Sequence, residues 1–298
     1  MAEKIHLNSL GYSLGKKSRL YDLLYNHGCK NGTLMILPID QGLEHGPIDF
    51  LDNPEAEHPS FQFELAIKGG FNAIACHIGL AKKYYNDFAG RIPLVLKING
   101  RTNIPSNENA FSSQDATVED AVAIGAIAVG YTLFVGSTRQ DEDISQLAKI
   151  REDCDKYGMP LIVWSYPRGS AIDKKGGQET LYAVDYAARE ALELGADIIK
   201  INYPLEVNDL CPKKYKELAF DYSDDQRVDK VIRSAGRAFV IFSGGSKISE
   251  DEILRRIEII MQQGGAGVIF GRNLWQRPFD EGLRLAEKIR SILLNYPR

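Results

Sequence analysis

Short apolar runs rich in β-formers recur along the chain, at 34–40, 73–78, 94–99, 130–136, 161–166, 197–203, 239–243 and 267–271. Between most of them lie stretches with helical periodicity. In 181–194, Leu181, Val184, Ala188, Ala191 and Leu192 share one face, and 253–261 and 283–294 behave alike. Gly195 closes one such helix before a strand, and Gly264-Gly265 closes another. Strands alternating with helices predict a parallel sheet, and eight such units predict a closed (β/α)8 TIM barrel. An open doubly wound sheet would place a glycine-rich nucleotide loop after its first strand. Here the first strand leads into Gln41-Gly42-Leu43-Glu44-His45-Gly46-Pro47 instead. The glycines suited to phosphate follow strands seven and eight, where barrels often bind it. The expected organisation is one domain over 1–298, with 1–30 as an N-terminal helical extension covering the barrel bottom or a neighbouring subunit. Residues 203–225 form a long charged excursion after strand six.

Composition narrows the function. The chain has 298 residues, 44% of them hydrophobic, enough for one large core. A net charge of −4 argues against a general nucleic-acid binder. The segment Met-Ala-Glu-Lys-Ile-His has no apolar signal region, and no stretch reaches the roughly 18 apolar residues of a membrane span. The weakly polar stretch 121–135 is interrupted by Gly125 and Gly130. A cytoplasmic location without membrane contact is expected. Cys29, Cys76, Cys154 and Cys211 form no close pair and read as reduced thiols, with Cys76 packed in a strand. His6, His27, His45, His58 and His77 show no metal-ligand spacing, so no metal site is expected.

Active groups of a barrel sit at the C-terminal ends of its strands. Those ends carry Asp40, His77, Lys97, Asn99, Trp164, Tyr166, Arg168, Lys200, Asn202, Ser243, Gly271 and Arg272. Lys200 lies in the apolar run Ile198-Ile199-Lys200-Ile201. Burial favours its neutral form, and a neutral amine attacks a carbonyl carbon to give a carbinolamine and then an imine. Lys97 stands in a matching context, Val95-Leu96-Lys97-Ile98-Asn99, and the residues alone do not rank the two. A lysine that merely ion-pairs inside the barrel is the alternative reading. Tyr166 suits a general acid/base whose pKa a neighbouring ammonium or imine would lower. Asp40 suits a partner that holds the lysine and shuttles the proton of dehydration. His45, in a glycine-rich turn, offers a contact to substrate hydroxyls. Ser243-Gly244-Gly245-Ser246-Lys247 and Gly271-Arg272-Asn273 read as phosphate cradles, with glycine permitting close backbone approach. Ser249-Glu250-Asp251 reads as a helix cap. Lys97, Arg101 and Arg168 are the charged candidates for a second phosphate.

Together, Asp40-Gln41-Gly42-Leu43-Glu44-His45-Gly46-Pro47, Trp164-Ser165-Tyr166-Pro167-Arg168-Gly169, Ile199-Lys200-Ile201-Asn202, Ser243-Gly244-Gly245 and Phe270-Gly271-Arg272-Asn273 resemble the archaeal-type class I fructose-1,6-bisphosphate aldolases, over about residues 30–290. The resemblance implies that Lys200 is the Schiff-base lysine, Tyr166 the acid/base, Asp40 the acid assisting imine formation and Trp164 a neighbour of the substrate. It implies that Ser243, Gly244, Gly245, Gly271 and Arg272 hold the phosphate of the dihydroxyacetone half. It further implies reversible cleavage of fructose 1,6-bisphosphate into dihydroxyacetone phosphate and glyceraldehyde 3-phosphate. No cofactor or metal beyond the covalent imine is implied, and a homo-oligomer, commonly a decamer, is. Two other readings remain: a related lysine-dependent aldolase or thiolase of the aminodideoxyheptulosonate synthase type, and a non-catalytic phosphosugar-binding barrel.

Overall fold

A computed structural model describes residues 4–245 and 248–298, and only the backbone of Gln41. Eight strands, β1 (Leu34–Pro38), β2 (Ala73–His77), β3 (Leu94–Lys97), β4 (Ala128–Val135), β5 (Leu161–Pro167), β6 (Ile198–Ile201), β7 (Phe239–Ser243) and β8 (Gly267–Ile269), close into a ring. Each pairs in parallel with its neighbour in sequence, and β1 pairs with β8 to complete the barrel. The expected fold class therefore holds. The strand bounds move a little: β4 starts two residues earlier than its apolar run suggested, and β1 and β8 stop short, handing Asp40 and Gly271 to the turns that follow.

The strands are buried on both faces, which is why they read as continuous apolar runs. Period-2 alternation still divides them. Leu34, Ile36, Ala73, Ala75, Val95, Ala128, Ile162, Trp164, Ile198 and Ile241 pack in one cluster inside the ring. Met35, Leu37, Ile74, Cys76, Leu96, Val129, Val163, Ile199 and Val240 pack outward against the helices. Lys97 sits two residues after Val95 and Lys200 two after Ile198, so both lysines take the inward parity.

The N-terminal segment covers the bottom of the ring. Its helix Leu14–Tyr21 is capped by Ser13, and Leu20, Leu23 and Leu24 join the inner cluster. The Lys16 ammonium, almost fully buried, reaches Asp197 at 3.0 Å just before β6 and Asp155 at 2.7 Å. The excursion after β6 contains the helix Lys213–Ala219 and leads into the helix Asp224–Ser234, which starts with a Ser223–Gln226 capping box. Ser249 caps the helix Glu250–Gln262 as its sequence suggested, accepting from the Glu252 amide. Gly195 and Gly264 both take left-handed backbone just after their helices. Cys76 is fully buried in β2, and no helix among the described residues is long and apolar enough to cross a membrane.

Candidate active site

A cavity of about 640 Å³ opens at the C-terminal mouth of the barrel. Its wall gathers Asp40, His45, Tyr166, Arg168, Lys200, Ser243, Gly244, Gly245, Gly271 and Arg272 from segments spread over more than 230 residues of chain. Ten of the eleven expected site residues therefore share one cavity. Ser246 and Lys247, the end of the first cradle, lie outside the described residues.

Trp164, expected as a neighbour of the substrate, is the exception and does not line the cavity wall. It is fully buried and lies beneath the cavity as a floor. Its ring underlies both strand lysines, with Lys97 Nζ at 5.5 Å and Lys200 Nζ at 5.1 Å from the centroid. The indole reaches across because β4 carries glycine at the crossing point. A Cβ on Gly130 would come within 2.7 Å of the Trp164 ring.

The two lysines differ in their surroundings. Lys97 is fully buried and does not face the cavity. Its ammonium donates to Asp40 Oδ2 at 2.9 Å and to Glu44. Burial alone would lower its pKa, but the two carboxylates reverse this and hold it above the ordinary lysine value. Lys200 lines the cavity, and among the described residues it has no carboxylate within ion-pair distance. It rests on the faces of Trp164 and Tyr166, at 5.1 and 5.2 Å from their centroids. Burial and the positive charges of Lys97 and Arg272 outweigh the attraction of Asp40 and Glu44, and its pKa falls to about 8. Geometry thus separates two residues that their local sequences did not.

Asp40 stays ionised. Burial opposes its charge, but Lys97, Lys200 and His77 hold the carboxyl well below the usual range. Tyr166 departs from expectation in the resting site. Burial, followed by the charges of Asp40 and Glu44, pushes its phenol well above the ordinary tyrosine value, so it is neutral. Arg168 lies over the Tyr166 ring, 5.1 Å from its centroid, and works against that rise without cancelling it. The adjacent lysine was expected to lower the phenol, but two carboxylates from the segment after β1 prevail.

The cradles at β7 and β8 interlock. The Ser243 hydroxyl donates to Asn202 Oδ1 at 2.8 Å, which joins β7 to β6. Asn273 donates to the Gly244 carbonyl at 3.2 Å, and Arg272 Nη2 donates to the Gly245 carbonyl at 3.1 Å. Gly245 takes φ of +62°, and a Cβ on Gly244 would lie 2.7 Å from the Asn273 amide. None of the Gly244, Gly245 and Gly271 amides is spent in a turn or loop hydrogen bond among the described residues. These N–H groups, with one guanidinium, suit an anion.

His45 lines the cavity with its Nδ1 2.7 Å from Asp49. Of the second-phosphate candidates, Lys97 is excluded by its pairing. Arg101 faces the cavity but also donates to the carbonyls of Thr102, Pro105 and Ser106. Arg168 faces the cavity with one bond to the Pro167 carbonyl. Sequence reasoning assigned no role to Glu44 or Asp49. For Glu44 a signal existed: it stands four residues after Asp40, one helical turn on.

Residues 34–277 match the DeoC/LacD family of aldolases. The chain is 39% identical to the class 1 fructose-bisphosphate aldolase of Thermoproteus tenax over 249 residues, 83% of this chain and 85% of that protein. It is 34% identical to the class 1 enzyme of Halobacterium salinarum, over 83% and 86% of the two chains. It superposes with a TM-score of 0.79 and 35% identity on an archaeal fructose-1,6-bisphosphate aldolase whose catalytic lysine is covalently bound to the substrate's carbinolamine intermediate, covering 92% of this chain and 99% of that one.

Proposed function

Because this chain belongs to the DeoC/LacD family of aldolases and, within it, to the class 1 fructose-bisphosphate aldolases, we propose that Lys200 is its imine-forming lysine, with Tyr166 as acid/base and Asp40 as proton carrier. Class 1 chemistry uses a lysine imine and no metal. The observation that carries the assignment is the amine of Lys200: exposed to the cavity, without a carboxylate partner among the described residues, and titrating near 8.

The Lys200 lone pair attacks C2 of the open-chain ketose and forms the C–N bond, while the carbonyl electron pair moves to oxygen and takes up a proton. The carbinolamine then loses water, with Asp40 relaying the proton, and a cationic imine remains. As C3–C4 breaks, its electron pair flows into the imine to give an enamine. The C4 hydroxyl proton passes to Tyr166 as that carbon becomes the aldehyde of glyceraldehyde 3-phosphate. The iminium charge beside the phenol ring opposes the burial and the carboxylates that hold its pKa up, so the phenol releases its own proton to solvent through the cavity once the cation forms, and the resulting phenolate takes the C4 hydroxyl proton. Protonation of the enamine at C3 and hydrolysis of the imine release dihydroxyacetone phosphate.

In this proposal the Ser243-Gly244-Gly245 turn with Gly271 and Arg272 holds the phosphate at C1. Arg168, just after β5, holds the phosphate at C6, and His45 meets a sugar hydroxyl. Trp164 acts from below, as the surface on which Lys200 rests. The proposal extends to a cytoplasmic homo-oligomer, which light scattering of the purified protein checks. The substrate is tested by following both trioses from fructose 1,6-bisphosphate in EDTA. Equal, chelator-insensitive release of the two supports the reading. Formation of an adduct with dihydroxyacetone phosphate but no cleavage would reassign the lysine to another acceptor.

A further inference from the structure

Glu44 is a cavity-lining acid to which the mechanism above gives no task. It closes the single turn Gln41–Glu44, its amide bonded to the Asp40 carbonyl at 3.2 Å. Four-residue spacing puts its carboxylate on the Asp40 side of that turn, and both carboxylates meet the one ammonium of Lys97. Lys97 is fully buried, whereas the Glu44 side chain retains 18% exposure toward the cavity. A surface ion pair would contribute little, but this one neutralises a cation inside the barrel.

We propose that Glu44 is a positioning residue for imine formation: it holds Lys97 jointly with Asp40 and supplies the second negative charge against which the Lys200 iminium forms. The inference rests on the reading of Lys200 as the imine lysine. The charge count motivates it. Asp40, Glu44 and Lys97 sum to −1, so a cationic imine on Lys200 brings the buried cluster to neutrality. Without the Glu44 charge the same cluster would reach +1, in a site where burial already disfavours cations. Glu44 also relieves Asp40 of being the sole partner of Lys97, which leaves it better able to carry the proton of dehydration.

The surroundings of the Lys200 amine fix the sign of the expected shift. Asp40 and Glu44 face it from the segment after β1, Lys97 from β3, Tyr166 from β5 and Arg272 from the turn after β8, while His77 of β2 acts on Asp40. Of these, Asp40 and Glu44 raise the amine's pKa. Removing the Glu44 charge therefore lowers it further and moves the acid limb of imine formation to lower pH. The same change weakens the imine once formed. A merely structural role would reduce the yield without moving the limb.

The test is borohydride trapping of dihydroxyacetone phosphate across pH, with peptide mass spectrometry, on the wild-type protein, E44Q and E44D. For E44Q the acid limb is expected about one pH unit lower and the trapped yield at its optimum about tenfold smaller. E44D keeps the charge and is expected to keep the wild-type limb. If E44Q does not fold, Glu44→Met carries the same expectation. An unmoved limb in the neutral variants, with wild-type adduct on Lys200, overturns the proposal alone. A wild-type protein that forms no adduct on Lys200 overturns the underlying reading and this proposal with it.

Discussion

Lys97-Ile98-Asn99 runs out of the end of β3 and Lys200-Ile201-Asn202 out of the end of β6, on separate arcs of the same ring. In both, the lysine takes the inward parity and stands on the ring of Trp164. On the β3 side the site is closed. Lys97 is locked between two carboxylates, and Asn99 is fully buried, donating to the carbonyls of Ser112 and Thr132 and accepting from the Thr132 amide. On the β6 side it is open. Among the described residues Lys200 has aromatic faces and no carboxylate in ion-pair contact against it, and Asn202 lines the cavity while accepting from Ser243. The difference teaches that a buried lysine becomes a nucleophile by lacking a counter-ion. With one it becomes an electrostatic anchor.

The largest effect that would sharpen this contrast is on turnover. Lys200→Met should reduce cleavage of fructose 1,6-bisphosphate by about 10⁴-fold or more, since covalent catalysis has no substitute group in the cavity. Residual activity within tenfold of wild type would break the comparison. Tyr166→Phe should keep the trapped adduct but slow cleavage about 10²- to 10⁴-fold in single-turnover experiments.

The next effect is on stability, where the two lysines should differ in sign. Lys97→Met leaves the buried Asp40 and the half-buried Glu44 without their cation and should cost about 3–5 kcal/mol in urea unfolding. Lys200→Met should instead stabilise by about 1–3 kcal/mol at pH 7. The folded-state pKa of Lys200 is depressed to about 8. At pH 7 the amine is therefore charged in both states, and the folded one bears the full cost of burying it. That cost is relieved only as the pH rises above about 8 toward the unfolded lysine value, so the gain from Lys200→Met should shrink over that range. Equal signs for the two variants would contradict the assignment. The asparagines give the smallest contrast. Asn99→Ala strands the buried Thr132 amide and should cost about 2 kcal/mol. Asn202→Ala should leave the melting temperature nearly unchanged and raise KM instead.

The architecture was legible because doubly buried strands and amphipathic helices leave different periods in the sequence, and glycines mark the helix ends. The site was legible as a set because barrel chemistry collects at strand ends, which a linear reading can locate. Three things were not. The tie between Lys97 and Lys200 depends on what lies opposite each across the ring, and the five residues around either lysine do not contain that. Strand parity gives the direction of Trp164 but not its depth; the missing side chain of Gly130 on β4 lets the indole lie beneath both lysines. The direction of the Tyr166 shift was missed because the lysine next to it was counted, while the burial of the phenol and the more distant charges of Asp40 and Glu44 were not.

The most direct test is to incubate the protein with dihydroxyacetone phosphate in EDTA, reduce with borohydride and map the modified peptide. The account predicts one reduced adduct, on Lys200, with a yield that rises with pH through about 8. An adduct on Lys97 would contradict it, because the paired and enclosed lysine would then be the nucleophile.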